Sequence, residues 1–349
     1  MTPLSRRGFV ASLGGLGVGG AARGARPNVL LLCADGLRPR LGCYGHPEML
    51  TPNIGRLAPE GRRFTRHYVQ SAVYGPSRCS LLTGKRINSS DCWKGPRGQA
   101  SEPAEPASFA HLFRRHGYPT VCIGKVSHQP GGVMDEEQRV YQVPFSWDKS
   151  YAPVGEWGTP WRAFFAYANG KAYNKVVRMR KDEPLLPYES ADVDDNGYAD
   201  GLNADAAVRE LNDLKQRGRP FFLAAGFYKP HLPLNAPKKY WDLYKREDAP
   251  LARNPFPPRG AGYYAVPTYS ELRSYADIPD EGPLPREMMQ RVVHGYYAAT
   301  SYSDAQIGKV LDALDRQGLA GNAVVALWGD HGWHLGEHTH WGKLTNFEI

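Results

Sequence analysis

The sequence predicts an α/β protein with a mostly parallel sheet flanked by helices. Three observations carry that expectation. Continuous apolar runs recur at residues 28–34 (NVLLLCA), 220–226 (PFFLAAG) and 323–328 (AVVALW), the way strands buried on both faces read. Stretches of helical spacing separate them, and strands alternating with helices specify a parallel sheet covered on both faces. Each run stops at a polar group: Asp35-Gly36, Lys229 to His231, Asp330-His331, with Lys125 to His128 following a shorter run at 120–123. Ligands in such sheets lie beyond the carboxyl ends of the strands, so the four groups are expected to meet at one edge.

Between these strands the elements follow in order. Thr51-Pro52-Asn53 opens a short helix, and residues 63–69 read as a second strand. Residues 76–82 start a helix with Pro76 at an early position, where its missing N–H costs nothing. Residues 108–115 and 203–215 have helical spacing, and 286–314 is a long helical pattern with room for one break. Residues 129–200 and 232–283 are rich in loop-forming residues.

A chain of 349 residues suits one large α/β domain or two smaller ones, and 42% hydrophobic residues suffice for a sizeable core. The 38 glycines and 29 prolines point to many loops. Part of the net charge of +8 belongs to Arg6, Arg7, Arg23 and Arg26; the rest suits an anionic substrate. No Lys/Arg run is interleaved with aromatics, which argues against nucleic acid as a partner. Cys33, Cys43, Cys79, Cys92 and Cys122 form no CxxC pair and are odd in number, so no disulfide framework is expected.

Ser5-Arg6-Arg7-Gly8-Phe9 precedes an apolar, Gly/Ala-rich stretch reaching Ala22. Paired arginines before a short apolar region, with small residues after it, read as a twin-arginine export signal over residues 1–26. The apolar region is too short and Gly-rich for a stable membrane span. The export machinery is thus an expected partner, and a periplasmic or extracellular location is expected for the mature chain.

Asp, Lys and His gathered at four strand ends point to two kinds of chemistry. Carboxylates with a histidine hold a divalent metal. Lysines and histidines hold an oxyanion and protonate a leaving oxygen. His334, His338 and His340 raise the alternative of a separate zinc site.

The segments NVLLLCADGLRPRLGCYG, GPSRCSLLTGKR, GKVSH, GFYKPHLP and WGDHGWHLGEH appear in the order found in sulfatases. From residue 28 to 349 the chain resembles that family, with the iduronate-2-sulfatase-like bacterial members as the nearest subgroup. The resemblance implies an alkaline-phosphatase-like fold, with residues 27–349 as the N-terminal catalytic domain and a C-terminal subdomain missing after the Lys343 motif. It implies hydrolysis of sulfate esters, of a sulfated sugar or glycan, by metal-assisted attack at sulfur. It assigns Asp35, Asp330 and His331 to a calcium site and Arg78 to stabilising nucleophile and metal. Lys125, His128, His231 and Lys343 become the groups that hold sulfate oxygens and assist the leaving group.

Two positions depart from the family pattern. The nucleophile position, converted to formylglycine in the family, is Tyr74 in Tyr74-Gly75-Pro76-Ser77-Arg78. A phenol cannot undergo that conversion, its pKa is about 10, and a tyrosyl sulfate would have no geminal hydroxyl to expel it. Gly36 stands where the family has a second acid, which removes a ligand and a negative charge. Cys79 lacks the Pro and Arg context needed to take over. The alternative reading is therefore a catalytically impaired pseudo-sulfatase that binds sulfated glycans. A degenerate product and a phosphodiesterase of the same superfamily are further alternatives, and Tyr74 suits the latter no better.

Overall fold

The computed structural model describes residues 26–87, 108–135, 140–173, 185–260, 262, 265, 270–345 and 347. The expected export signal, up to residue 25, and Cys92 lie outside them. The strands are β1 Asn28–Ala34, β2 Thr120–Gly124, β3 Val133–Asp135, β4 Val140–Tyr141, β5 Lys149–Tyr151, β6 Tyr188–Ala191, β7 Phe222–Phe227, β8 Leu234–Pro237 and β9 Ala323–Gly329. The helices that frame the site are α1 Tyr74–Thr83, α2 Phe109–Arg115, α3 Pro160–Phe164, α4 Ala199–Gln216 and α5 Arg286–Arg316.

Five strands form one sheet in the order β5-β2-β7-β1-β9, and every pairing is parallel. The expected fold class holds. The central runs are apolar throughout because both faces are covered, and the period of two in a strand divides them. Leu30, Leu32, Leu223 and Ala225 join the larger core with Leu211 of α4 and Ile307 and Val310 of α5. Leu31, Cys33, Phe222 and Ala224 face a smaller core with Ala110 of α2 and Leu82 of α1. Ser108 caps α2, its side chain accepting from the His111 N–H at 2.9 Å.

Parallel strands carry their C-terminal ends to the same edge, and this edge is built tightly. Gly124 pairs in register with Gly226. A Cβ on Gly226 would stand 2.0 Å from the Lys125 carbonyl oxygen, and one on Gly124 would stand 2.1 Å from that of Gly226. Only glycines let the chain leave β2 across the end of β7 here.

Three expectations are corrected. Residues 63–69 form no strand: apart from half-buried Val69 they are exposed, with Phe64 55% and Tyr68 68% accessible. Among the described residues no strand pairs with them. The helical pattern after residue 286 is not broken; α5 runs for 31 residues. Although the cysteine spacing suggested no disulfide, Cys79 is disulfide-bonded, while Cys33, Cys43 and Cys122 are free. No helix among the described residues is long and apolar enough to cross a membrane.

Candidate functional site

Residues drawn from four strand ends, the first turn of α1 and the segment after β9 form one contiguous cluster. Asp35 follows β1, Lys125 and His128 follow β2, His231 follows β7, and Asp330 and His331 follow β9. Tyr74 and Arg78 lie one turn apart on α1. Lys343 arrives on a folded segment whose histidines hold it together. The His334 N–H donates to the Gly342 carbonyl at 2.6 Å and the Gly336 N–H to that of His340 at 2.9 Å. His340 Nε2 meets the Lys343 carbonyl at 2.8 Å, and His334 Nε2 meets Thr345 Oγ1 at 2.7 Å. His338 Nε2 lies 3.2 Å from Asn254 Nδ2. These three histidines therefore have structural partners. Among the described residues the one group able to hold a metal ion is Asp35, Asp330 and His331.

Arg78 is the hub of that group. It is fully buried. Its Nε donates to Asp330 Oδ2 at 2.8 Å, Nη2 lies 3.6 Å from Asp35 Oδ2, and Nη1 donates to the carbonyls of Lys125 and Val126. The Ser77 hydroxyl donates to the Asp330 carbonyl at 2.6 Å, and the Gly36 N–H donates to Asp330 Oδ1 at 2.9 Å. Lys125 Nζ sits 2.6 Å from Asp35 Oδ2. Burial alone would raise the Asp35 carboxyl, but Lys125, followed by His231 and Arg78, outweighs it and holds it well below the usual range. Burial pushes the Lys125 ammonium down to about 8 against the pull of Asp35.

The donor set fits a divalent cation. One ligand atom from each of Asp35, Asp330 and His331 lies within 4.8 Å of the others, and all three residues are buried. His331 Nδ1 is 2.8 Å from the Gly332 carbonyl, so Nδ1 carries the proton and Nε2 keeps its lone pair. Both His331 Nε2 and Asp35 Oδ1 are buried without a hydrogen-bond partner, a costly state that a bound cation relieves. Gly36 has a left-handed φ of 74° and contributes only its backbone.

Beside this group lies Tyr74, which the sequence reading places at the nucleophile position. The Tyr74 ring stacks on the His128 ring at 4.5 Å with 5° between planes. Lys343 Nζ lies 4.6 Å and Lys125 Nζ 5.1 Å from the Tyr74 ring centre. Phe164 of α3 covers Lys125 at 3.8 Å and packs on His231 at 4.7 Å, and Trp161 meets the edge of His128 at 5.8 Å. Burial, followed by the nearby lysines, keeps the imidazoles of His128 and His231 neutral, each lowered to about 3. Lys343 Nζ is 2.8 Å from His231 Nε2 and 3.1 Å from Glu271 Oε2. Burial would lower the Lys343 ammonium, but Glu271 and then Asp35 reverse this and raise it.

All nine residues expected from the sequence thus come together. The sequence reading missed Glu271 and the aromatic cover of α3. It also missed Asp200, which accepts from the Tyr228 and Lys229 N–H groups at 2.7 and 2.8 Å and so fixes the turn that presents His231.

The sequence model of the family described as Sulfatase matches residues 27–348. The chain belongs to the sulfatase family. It is 34% identical to the iduronate 2-sulfatase of Mus musculus over 329 residues, which cover 92% of this chain and 57% of that protein. A sulfatase of Formosa agariphila is 28% identical over 339 residues, 93% of this chain and 62% of the relative. The chain therefore spans less than two thirds of the length of these relatives. Among solved structures, the phosphonate monoester hydrolase of Agrobacterium radiobacter superposes with a TM-score of 0.70 at 22% identity, covering 93% of this chain and 66% of that one. A structure in complex with its substrate D-glucosamine-2-N,6-O-disulfate gives a TM-score of 0.63 at 20% identity, covering 91% of this chain and 67% of that one. These likenesses establish the alkaline-phosphatase-like sulfatase fold.

Proposed function

We propose that this chain binds a sulfate ester of a sugar or glycan in the cluster around Lys125, His231 and Lys343, without the formylglycine route to hydrolysis. The observation that carries the reading is the Tyr74 ring, stacked on His128 between the two lysines. It places a phenol where the family's mechanism needs a small, convertible side chain.

The chain's own residues divide the task. Lys125 and Lys343 offer ammonium donors to sulfate oxygens. Arg78 holds Asp35 and Asp330 in place. Asp35, Asp330 and His331 would hold calcium, which when bound polarises a sulfate oxygen as a Lewis acid. A sulfated substrate class is supported by the relatives' names. A twin-arginine leader at residues 1–26 supports action outside the cytoplasm, and residues 27–349 are read as the catalytic domain.

Aryl-sulfate hydrolysis tests the reading. It is measured with calcium on the native chain and on Tyr74→Cys co-expressed with a formylglycine-generating enzyme, both first shown to be folded. The native chain is expected to be silent and the variant active. Sulfate release by the native chain overturns the proposal and makes it a hydrolase with another nucleophile.

A further inference from the structure

Glu271 touches both groups that would receive the anion. Its Oε2 lies 3.1 Å from Lys343 Nζ and 3.5 Å from His231 Nε2, and its side chain is 14% exposed. The short helical turn Glu271–Ser274 that carries it is anchored by Leu272, fully buried, and by the Tyr173 hydroxyl, 2.8 Å from Ser274 Oγ. Glu271 is therefore placed by packed structure.

The hydrogen bonds define what an incoming anion meets. A backbone carbonyl only accepts, so the 2.7 Å contact of His231 Nδ1 with Leu232 oxygen puts the ring proton on Nδ1. His231 Nε2 then has only a lone pair, which accepts from Lys343 at 2.8 Å. Two of the three ammonium N–H donors of Lys343 are directed at His231 and Glu271. The charges point the same way. Arg78, Lys125 and Lys343 face Asp35, Asp330 and Glu271 in mutual contacts, three cations against three carboxylates, and burial keeps the imidazoles neutral. The cluster is balanced, so it has little net attraction for an anion until a divalent cation adds its charge. Asp35 and Asp330 are ligands for that cation, which leaves Glu271 as the carboxylate directed at the anion seat.

We infer that Glu271 is an internal competitor for the Lys343–His231 seat and makes anion binding conditional on a divalent cation at Asp35, Asp330 and His331. The inference rests on the sulfate-binding reading above and adds a residue and an order of events to it.

Calorimetric titration of inorganic sulfate tests it at low salt. The full chain and Glu271→Gln are each titrated with EDTA and with calcium. The native chain is expected to bind sulfate at least about tenfold more tightly with calcium than with EDTA. Glu271→Gln is expected to bind sulfate in EDTA about tenfold more tightly than the native chain does, and to lose most of the calcium dependence. Glu271→Ala provides a second neutral variant, and the native calcium dependence is read without any substitution. Equal native affinity in EDTA and calcium overturns the inference, as does a neutral variant, folded by circular dichroism, that binds no more tightly than native in EDTA. Binding in no condition by any of the three proteins overturns the sulfate-binding reading itself, and the inference with it.

Discussion

Arg78 and Tyr74 are separated by one turn of α1, yet they are held in different ways. Arg78 is fully buried, pairs with two aspartates and donates to two carbonyls of the strand β2 exit. Tyr74 is half-buried and meets its surroundings through a ring stack and two nearby ammonium groups. The first position ties α1, β1, β2 and β9 together, so its function and the fold's integrity depend on the same atoms. The second is lined by the face of the His128 ring and by the ammonium groups of Lys125 and Lys343. The side chain at position 74 is therefore expected to be exchangeable in this scaffold while the Arg78 cluster stays in place.

That contrast is sharpest in stability. Arg78→Ala leaves Asp330 without its buried cation and Asp35 with Lys125 alone, and about 3–5 kcal/mol of unfolding free energy is expected to be lost; denaturant melts check it, and a loss below about 1 kcal/mol would erase the comparison. Calcium addresses the same half. At a hundredfold excess over its dissociation constant it is expected to stabilise the native chain by about 2.7 kcal/mol, and Asp35→Asn to remove the effect, read as a thermal shift.

The segment that brings Lys343 to Tyr74 responds to pH. His334 is fully buried, and burial, followed by His340, lowers it to about 3. The unfolded chain binds its proton near pH 6.5 and the folded chain does not, so stability is complete above that pH and falls as pH drops toward about 3. At pH 5 the loss is about 2 kcal/mol. His334→Gln is expected to make the acid limb shallower by that share while His128 and His231, lowered alike, keep the rest, and an unchanged acid limb would remove His334 from the account. The smallest effect belongs to the stack: Tyr74→Ala is expected to cost only about 1 kcal/mol in the same denaturant melts. A cost equal to that of Arg78→Ala would show that both turns of α1 carry the fold.

The scaffold was legible in the sequence because buried parallel strands are written as apolar runs and their ends as polar residues. Asp35, Lys125, His231 and Asp330 each stand just past such a run, and topology alone brings them together. Residues 63–69 were misread because a short run with aromatic and β-branched residues cannot show whether a partner strand is near; here Phe64 and Tyr68 face solvent. Glu271 was not legible. It lies in a loop-rich stretch without periodicity, and its partners Lys343 and His231 are distant in the chain. The disulfide at Cys79 depends on where loops return, which cysteine spacing leaves open. Gly36 was legible as a departure, but its left-handed backbone and its N–H bond to Asp330 appear only in three dimensions.

The crossing of glycines at the sheet edge carries the cation group in an indirect way. The carbonyl oxygen of Lys125 that a side chain at residue 226 would strike is also an acceptor for Arg78. One methyl group at Gly226, on a strand that contributes nothing to either side chain, would therefore push on two of the three cations at once. In inheritance this makes an empty space as constrained as a ligand. The places of Lys125 and Arg78 depend on there being no side chain at position 226.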